Sequence, residues 1–169
     1  MEPSNRGLEL IQAWEGLEDG DPSTVNLEPY MDHSGYWTIG WGHLLTDANG
    51  RRMEGEERRE EAYAVFPNGL TKEEATALFA EDCLPRVGQL NRLLNGAPTT
   101  QEQFDALFSL LYNIGSGNMS RSRVLAAHKN QDYANAYDFF MDHIYSKGQP
   151  SRGLKNRREQ ERAMYAETS

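Results

Sequence analysis

From Thr71 onward the chain keeps a helical period, and this constrains its fold more than any other feature. Phe104, Leu107, Phe108, Leu111 and Tyr112 fall at i, i+3, i+4, i+7 and i+8, the apolar stripe of a helix. Tyr133, Ala136, Tyr137 and Phe140 repeat the pattern. Ala75, Phe79 and Cys83 share one face of an earlier helix. That helix opens on a capping box, Thr71 with Glu74, in which hydroxyl and carboxylate satisfy two otherwise orphaned N–H groups. Pro85 is expected to bend it and Asn95-Gly96 to end it.

The first seventy residues read differently. Ser4 can cap a helix that runs to Glu15 and stops at Gly16. Leu8 and Ile11 lie on one face of it, and Glu15 continues that face at i+7, at the edge of a core. Glu18 to Pro29 is rich in Gly, Pro and Asp and reads as a loop. Tyr30–Asp32 and Tyr36–Leu45 read as short strands joined through His33-Ser34-Gly35, with a second turn at Asp47–Gly50. The expected class is α+β, mainly α, in a single domain over 1–169. A small antiparallel β lobe takes about 16–70 and a long helix about 71–95. A helical lobe takes about 96–169 together with helix 4–15. A cleft between two such lobes is a natural ligand site.

Composition removes several classes of function. Among 169 residues the net charge is −9, which disfavours general nucleic-acid binding. No apolar run approaches the ~20 residues that span a bilayer, so stable membrane insertion is not expected. Residues 1–16 carry no apolar signal-peptide core, which points to synthesis in a cytoplasm. A single cysteine, Cys83, fits a reducing compartment and a buried, inert thiol. The acidic excess is confined to residues 1–117. Residues 118–169 hold an excess of basic groups, densest at Arg152, Lys155, Arg157, Arg158 and Arg162. Lys155, Arg158 and Arg162 share a helical face, which either steers the chain onto an anionic polymer or pairs with Glu159 and Glu161.

The residue types suited to acetal hydrolysis are Glu15 and Asp32. Such chemistry needs one protonated acid for the leaving oxygen and a second carboxylate for the water or the cationic centre. Ile11, Trp14 and Leu17 give Glu15 an expected apolar setting, whereas Asp32 lies on a polar turn beside His33 and Ser34. Thr38 follows six residues after Asp32, where its hydroxyl can hold a water. Taken alone, a Glu at a helix end and an Asp in a turn also fit a cap and a surface charge.

The stretch Asp32-His33-Ser34-Gly35-Tyr36-Trp37-Thr38-Ile39-Gly40-Trp41-Gly42-His43 closely resembles the signature of the phage-type lysozymes, the endolysin muramidases of glycoside hydrolase family 24. That signature runs Asp, five residues, Thr, then Ile-Gly-x-Gly-His. The likeness continues through Leu70–Ala75, through Leu110–Gly117 and into Gly153-Leu154 with Arg157-Arg158-Glu159, so it covers nearly the whole chain. It implies the two-lobed lysozyme fold. The implied reaction is hydrolysis of the β-1,4 bond between N-acetylmuramic acid and N-acetylglucosamine in peptidoglycan, serving host lysis. It implies Glu15 as general acid, and Asp32 with Thr38 positioning the attacking water, hence inversion at the anomeric carbon. It further implies that Leu44, Tyr112 and Ser122 line the sugar site, that no cofactor or metal is needed, and that the chain acts as a monomer. Release from the host cytoplasm to the wall then depends on a membrane-permeabilising holin.

The sequence departs from the family in one place. Sixteen residues separate Glu15 from Asp32, eight more than the family usually has. The longer loop offers rival acids, Glu18, Asp19, Asp21 and above all Glu28. Glu15 is preferred because Trp14-Glu15-Gly16-Leu17 matches the family's Glu-Gly-Leu at the helix end. A lytic transglycosylase or a non-catalytic wall-binding module of the same fold are the alternatives. A zinc amidase is disfavoured because His33, His43, His128 and His143 lack ligand spacing. His43 is expected to be a structural hydrogen-bonder, and Trp14, Trp37 and Trp41 to pack in the core.

Overall fold

A computed structural model describes residues 1–167 as two compact units. One comprises Met1–Trp14 with residues 84–167, the other Glu15–Cys83. Two helices pass from unit to unit: α1 (Asn5–Glu15) at its last residue, and the 23-residue α3 (Lys72–Leu94) near its middle.

The Glu15–Cys83 unit is built on a three-stranded antiparallel meander. It comprises β1 (Tyr30–Met31), β2 (Trp37–Ile39) and β3 (His43–Leu44), in the order β1-β2-β3. Tyr30 pairs with Thr38, and Thr38 with Leu44. The single strand expected over Tyr36–Leu45 is divided, because Gly40 (φ +61°) and Gly42 (φ +74°) adopt left-handed conformations that turn the chain back. The turn also admits a close approach. A Cβ on Gly40 would stand 3.2 Å from the Cβ of Ala75. The Asp47–Gly50 turn forms as expected, with Asp47 N donating to Arg51 O and Gly50 N to Asp47 O. Trp37, Ile39, Trp41, Leu45 and Met53 form the core of this unit with Ala75 and Phe79 of α3. Beyond the sheet, α2 (Arg59–Val65) precedes α3. The capping box is present: Glu74 N donates to Thr71 Oγ1 at 3.1 Å and Thr71 N to Glu74 Oε2 at 2.8 Å. The helix passes through Pro85 as one element and ends at Asn95 (φ +48°) and Gly96 (φ +79°).

The other unit is helical: α4 (Gln101–Ile114), α5 (Ser116–Ser120), α6 (Arg123–Lys129), α7 (Tyr133–Phe139) and α8 (Arg152–Tyr165). Helix α4 is its centre. Every residue from Gln103 to Leu111 is buried, as expected of a helix surrounded by others. Two polar residues in that run are satisfied. Asp105 accepts from Ser4 N at 2.9 Å, from the Ser4 hydroxyl and from Gln101 Nε2, and Ser109 Oγ donates to Glu161 Oε1 at 2.7 Å. Ser4 also caps α1, accepting from Gly7 N. The periodicity gave no sign of the hairpin β4 (Tyr145–Ser146) to β5 (Gln149–Pro150). It turns on Lys147 and Gly148, both at positive φ, the pattern of a tight primed turn.

The basic face expected on α8 does not form as drawn. Arg158 is fully buried and Arg157 nearly so, both against the buried carboxylate of Glu161. Arg162 pairs with Glu159 and covers the ring of Tyr137 at 4.7 Å. Acids three or four residues away on the helix capture these arginines, which leaves Lys155 and Arg152 as the exposed cations of that segment.

Candidate active site

Strand β2 organises the candidate residues of its unit. Thr38 stands at its middle, 2% exposed, paired on one side with Tyr30 and on the other with Leu44. Its hydroxyl donates to Tyr36 O at 3.1 Å, which leaves the oxygen's lone pairs as acceptors. At one end of the strand Asp32 N donates to Tyr36 O. At the other end Glu18 forms an isolated antiparallel bridge with Gly40. The chain leaving α1 at Glu15 therefore joins the sheet three residues later at the Gly40 end, with Asp32 at the Tyr36 end and Thr38 between.

Asp32 is half-buried and held in one orientation. Its Oδ1 accepts from Ser34 N at 2.8 Å and from Tyr36 N at 2.9 Å, the hydrogen bonds of an Asx turn. Both donors fall on the same oxygen, so Oδ2 is available to a ligand or a water. Glu15, the last residue of α1, is exposed. The apolar setting expected for it from sequence neighbours is not found: Ile11 turns into the core, Leu17 is 38% exposed, and Trp14 uses its indole N–H on Gln160 Oε1. Leu17 lies beyond the helix end, and adjacency in sequence did not translate into a shared environment.

The acids of the longer loop have other work. Asp19 Oδ1 accepts from Asp21 N and Glu28 N and staples the two arms of the loop together. Asp21 accepts from Ser23 through both its backbone N–H and its hydroxyl, which hold this carboxyl below the usual range. Glu28 accepts from the Thr24 hydroxyl at 3.3 Å and lies beside Gly69. Gly20 N donates to Glu28 O. A Cβ there would stand 1.8 Å from Pro29 O, so the two arms approach backbone to backbone.

The remaining candidates divide between the units. Leu44, half-buried, is on β3 in the same unit as Glu15, Asp32 and Thr38. Tyr112 is on α4 of the helical unit, half-buried, with the Arg86 guanidinium 4.6 Å from its ring centre. Ser122 is 7% exposed and serves as the N-cap of α6: its hydroxyl accepts from Leu125 N at 3.1 Å and donates to Met119 O at 2.8 Å. A buried cap has little left to offer a sugar directly. His43 is the structural hydrogen-bonder expected, its Nδ1 2.8 Å from Asp82 Oδ2 on α3. No group of three or more His, Cys, Asp or Glu among the described residues could hold a metal ion. No described helix is long and apolar enough to cross a membrane.

Residues 14–161 match the family described as Phage lysozyme. The Endolysin of Acyrthosiphon pisum secondary endosymbiont phage 1 is 31% identical over 172 residues, covering 98% of both chains. The Endolysin of Bacillus phage B103 is also 31% identical, over 98% of this chain but only 54% of its own length, so the chain spans about half of that relative. Among solved structures, the Endolysin from Escherichia coli O157:H7 phage FAHEc1 superposes with a TM-score of 0.74 at 31% identity, covering 100% of this chain and 96% of the other.

Proposed function

Because the chain belongs to the phage lysozyme family, we propose that it is a muramidase, hydrolysing the β-1,4 bond between N-acetylmuramic acid and N-acetylglucosamine in peptidoglycan and so lysing the host. The observation that carries this reading is the arrangement along β2, with Asp32 held by two backbone N–H groups at one end, Thr38 midway, and the chain from Glu15 joining at the other. In the proposed reaction Glu15 gives its proton to the glycosidic oxygen as the bond breaks. Asp32, through Oδ2, and the Thr38 oxygen hold a water that attacks the anomeric carbon from the opposite face and gives up its proton to Asp32. Attack by water at that face inverts the configuration. The exposed position of Glu15 implies that bound glycan supplies the desolvation that general-acid chemistry needs.

Leu44 and Tyr112 are proposed to contact the sugars, with Ser122 setting the position of α6 rather than touching substrate. The proposed enzyme works as a monomer without a cofactor. It waits in the host cytoplasm until a holin opens the membrane.

Digestion of purified peptidoglycan with mass analysis of the fragments tests the reading. A muramidase leaves reducing N-acetylmuramic acid ends. A lytic transglycosylase leaves anhydro ends lighter by one water, and a binding module leaves the polymer intact. Proton NMR of the first product tests inversion: an α-anomer is expected from the β-linked substrate, and an initial β-anomer contradicts it.

A further inference from the structure

The helical unit carries a cavity of about 720 Å³ at the junction of the start of α4, helix α7 and the end of α8. Its wall includes Tyr133, Tyr137, Tyr165, Gln103, Asp138 and Glu167. None of these takes part in the proposed reaction. The volume lies within the range of small-ligand sites, about 300–1,000 Å³.

Each aromatic group in this wall is held in place from behind. The Tyr165 hydroxyl shares a 2.7 Å hydrogen bond with Nδ1 of His128, which is fully buried and whose Nε2 reaches the Thr99 hydroxyl at 2.9 Å. The Tyr165 ring also packs on Phe140 and His128. Tyr133 packs on His128 with centres 5.5 Å apart, and its hydroxyl donates to Pro98 O. Tyr137 has the Arg162 guanidinium over one side of its ring. The amide of Gln103 is fixed as well. Its Oε1 accepts from Thr100 N in the capping box of α4, which turns Nε2 the other way. That Nε2 donates to no group among the described residues and is reachable by water or a ligand. Rigid aromatic rings, a fixed amide donor and a carboxylate make a site ordered before any ligand arrives.

The lining favours a neutral, amphipathic ligand. The Glu167 carboxylate is already paired with Arg6 at 2.7 Å, and Arg162 already takes the cation's place over Tyr137, which leaves Asp138 as the carboxylate of this wall that can accept from a ligand's hydroxyls. A pyranose with an acetamido group matches what remains. Its C–H face packs on a tyrosine ring, its acetamido carbonyl accepts from Gln103 Nε2, and its hydroxyls donate to Asp138. We propose that this cavity is a second glycan-binding site, taking N-acetylhexosamine units of the polymer outside the cleavage site. The proposal rests on the muramidase reading for its choice of polymer. Two attachments to one long strand would raise the local concentration of cleavable bonds without altering the chemistry at any one of them.

Amide and side-chain NMR of the full chain, carrying Glu15→Gln and titrated with N-acetylglucosamine tetrasaccharide, tests this. Two sets of shifts are expected, one around Asp32, Thr38 and Leu44, the other at the Gln103 side chain and residues 133–138. Gln103→Glu keeps the capping oxygen but removes the donor, and Tyr137→Ala removes a ring. Each is expected to weaken the second set at least about tenfold and leave the first in place, which also reports that the variants fold. Shifts confined to the Asp32 group overturn the second site and leave the muramidase reading standing. Shifts at the cavity with a free stem peptide but not with the tetrasaccharide overturn the glycan assignment. No shifts in either place overturn the proposal together with the reading it rests on.

Discussion

Asp32 and Tyr36 are tied twice across the turn between them: Asp32 N donates to Tyr36 O at 2.8 Å, and Tyr36 N donates back to Asp32 Oδ1 at 2.9 Å. One oxygen of the carboxylate thus builds the turn, and the other is presented by it. The two duties separate by mutation. Asn at position 32 keeps the accepting Oδ1 and loses the charge, whereas Ala loses both. Both variants are expected to lose wall lysis by about 10²-fold or more. Only Asp32→Ala is expected to lose stability as well, by about 1 kcal/mol for each hydrogen bond removed. Turbidity assays beside thermal melts make the comparison.

The buried cluster on α8 is a structural element, and its loss should be large. Glu161 is fully buried, with Arg158 Nε 2.6 Å from Oε2, Arg157 Nε 3.1 Å and Ser109 Oγ 2.7 Å from Oε1. Burial pushes the carboxyl up and the Arg158 guanidinium down, each towards its neutral form, and the attraction between them opposes this. Glu161→Ala leaves the fully buried Arg158 guanidinium without its carboxylate and is expected to cost about 3–5 kcal/mol in urea unfolding. A cost below about 1 kcal/mol would show that water reaches it.

Acid sensitivity is expected from His128. Burial lowers its pKa from 6.5 to about 4. Between those values the unfolded chain binds a proton that the folded chain does not, so stability is lost as pH falls through that window. From pH 7 to pH 5 the loss from this ring is about 2 kcal/mol. His143 is lowered too, by burial and then by Arg158, and contributes in the same direction. His128→Gln removes the first contribution and keeps the second. Urea unfolding at the two pH values should therefore show a smaller fall for the variant. An equal fall in both proteins contradicts the assignment to His128.

Gly20 is the narrow point of the longer loop. With Pro29 O where a Cβ would be, Gly20→Ala must open the two arms and break the bond from Gly20 N to Glu28 O. The expected cost is about 1–3 kcal/mol. Faster proteolytic cutting within residues 18–29 is expected with it. An unchanged cutting rate would mean that the arms are not closed in solution.

The parts legible in the sequence were those encoded locally. The stripe Phe104–Tyr112 became α4, the Thr71–Glu74 box became the start of α3, and Gly96 marked its end, because each signal lies within a few residues of its effect. The candidate site was legible only as residue types and spacing: Asp32 falls in the turn after β1, and Thr38 on β2, the strand that follows this turn. What escaped was the use that folded side chains make of their neighbours. Of the two readings of the α8 arginines, pairing with Glu159 and Glu161 is the one found, and what the sequence did not show was the burial of Arg157 and Arg158 beside Ser109. The family resemblance makes Ser122 a ligand contact and says nothing of the capping of α6 by its hydroxyl. The surroundings of Glu15 were inferred from chain neighbours that fold away from it.

The assignment of Glu15 as the proton donor is the central claim, and Glu28 in the longer loop is its rival. Lysis rates of Glu15→Gln and Glu28→Gln on wall suspensions, measured side by side with circular dichroism to confirm folding, decide between them. Glu15→Gln is expected to lose about 10²–10⁴-fold or more with an unchanged spectrum, and Glu28→Gln to stay within a few-fold of the parent. Near-normal lysis by Glu15→Gln, with loss in Glu28→Gln, would contradict the account.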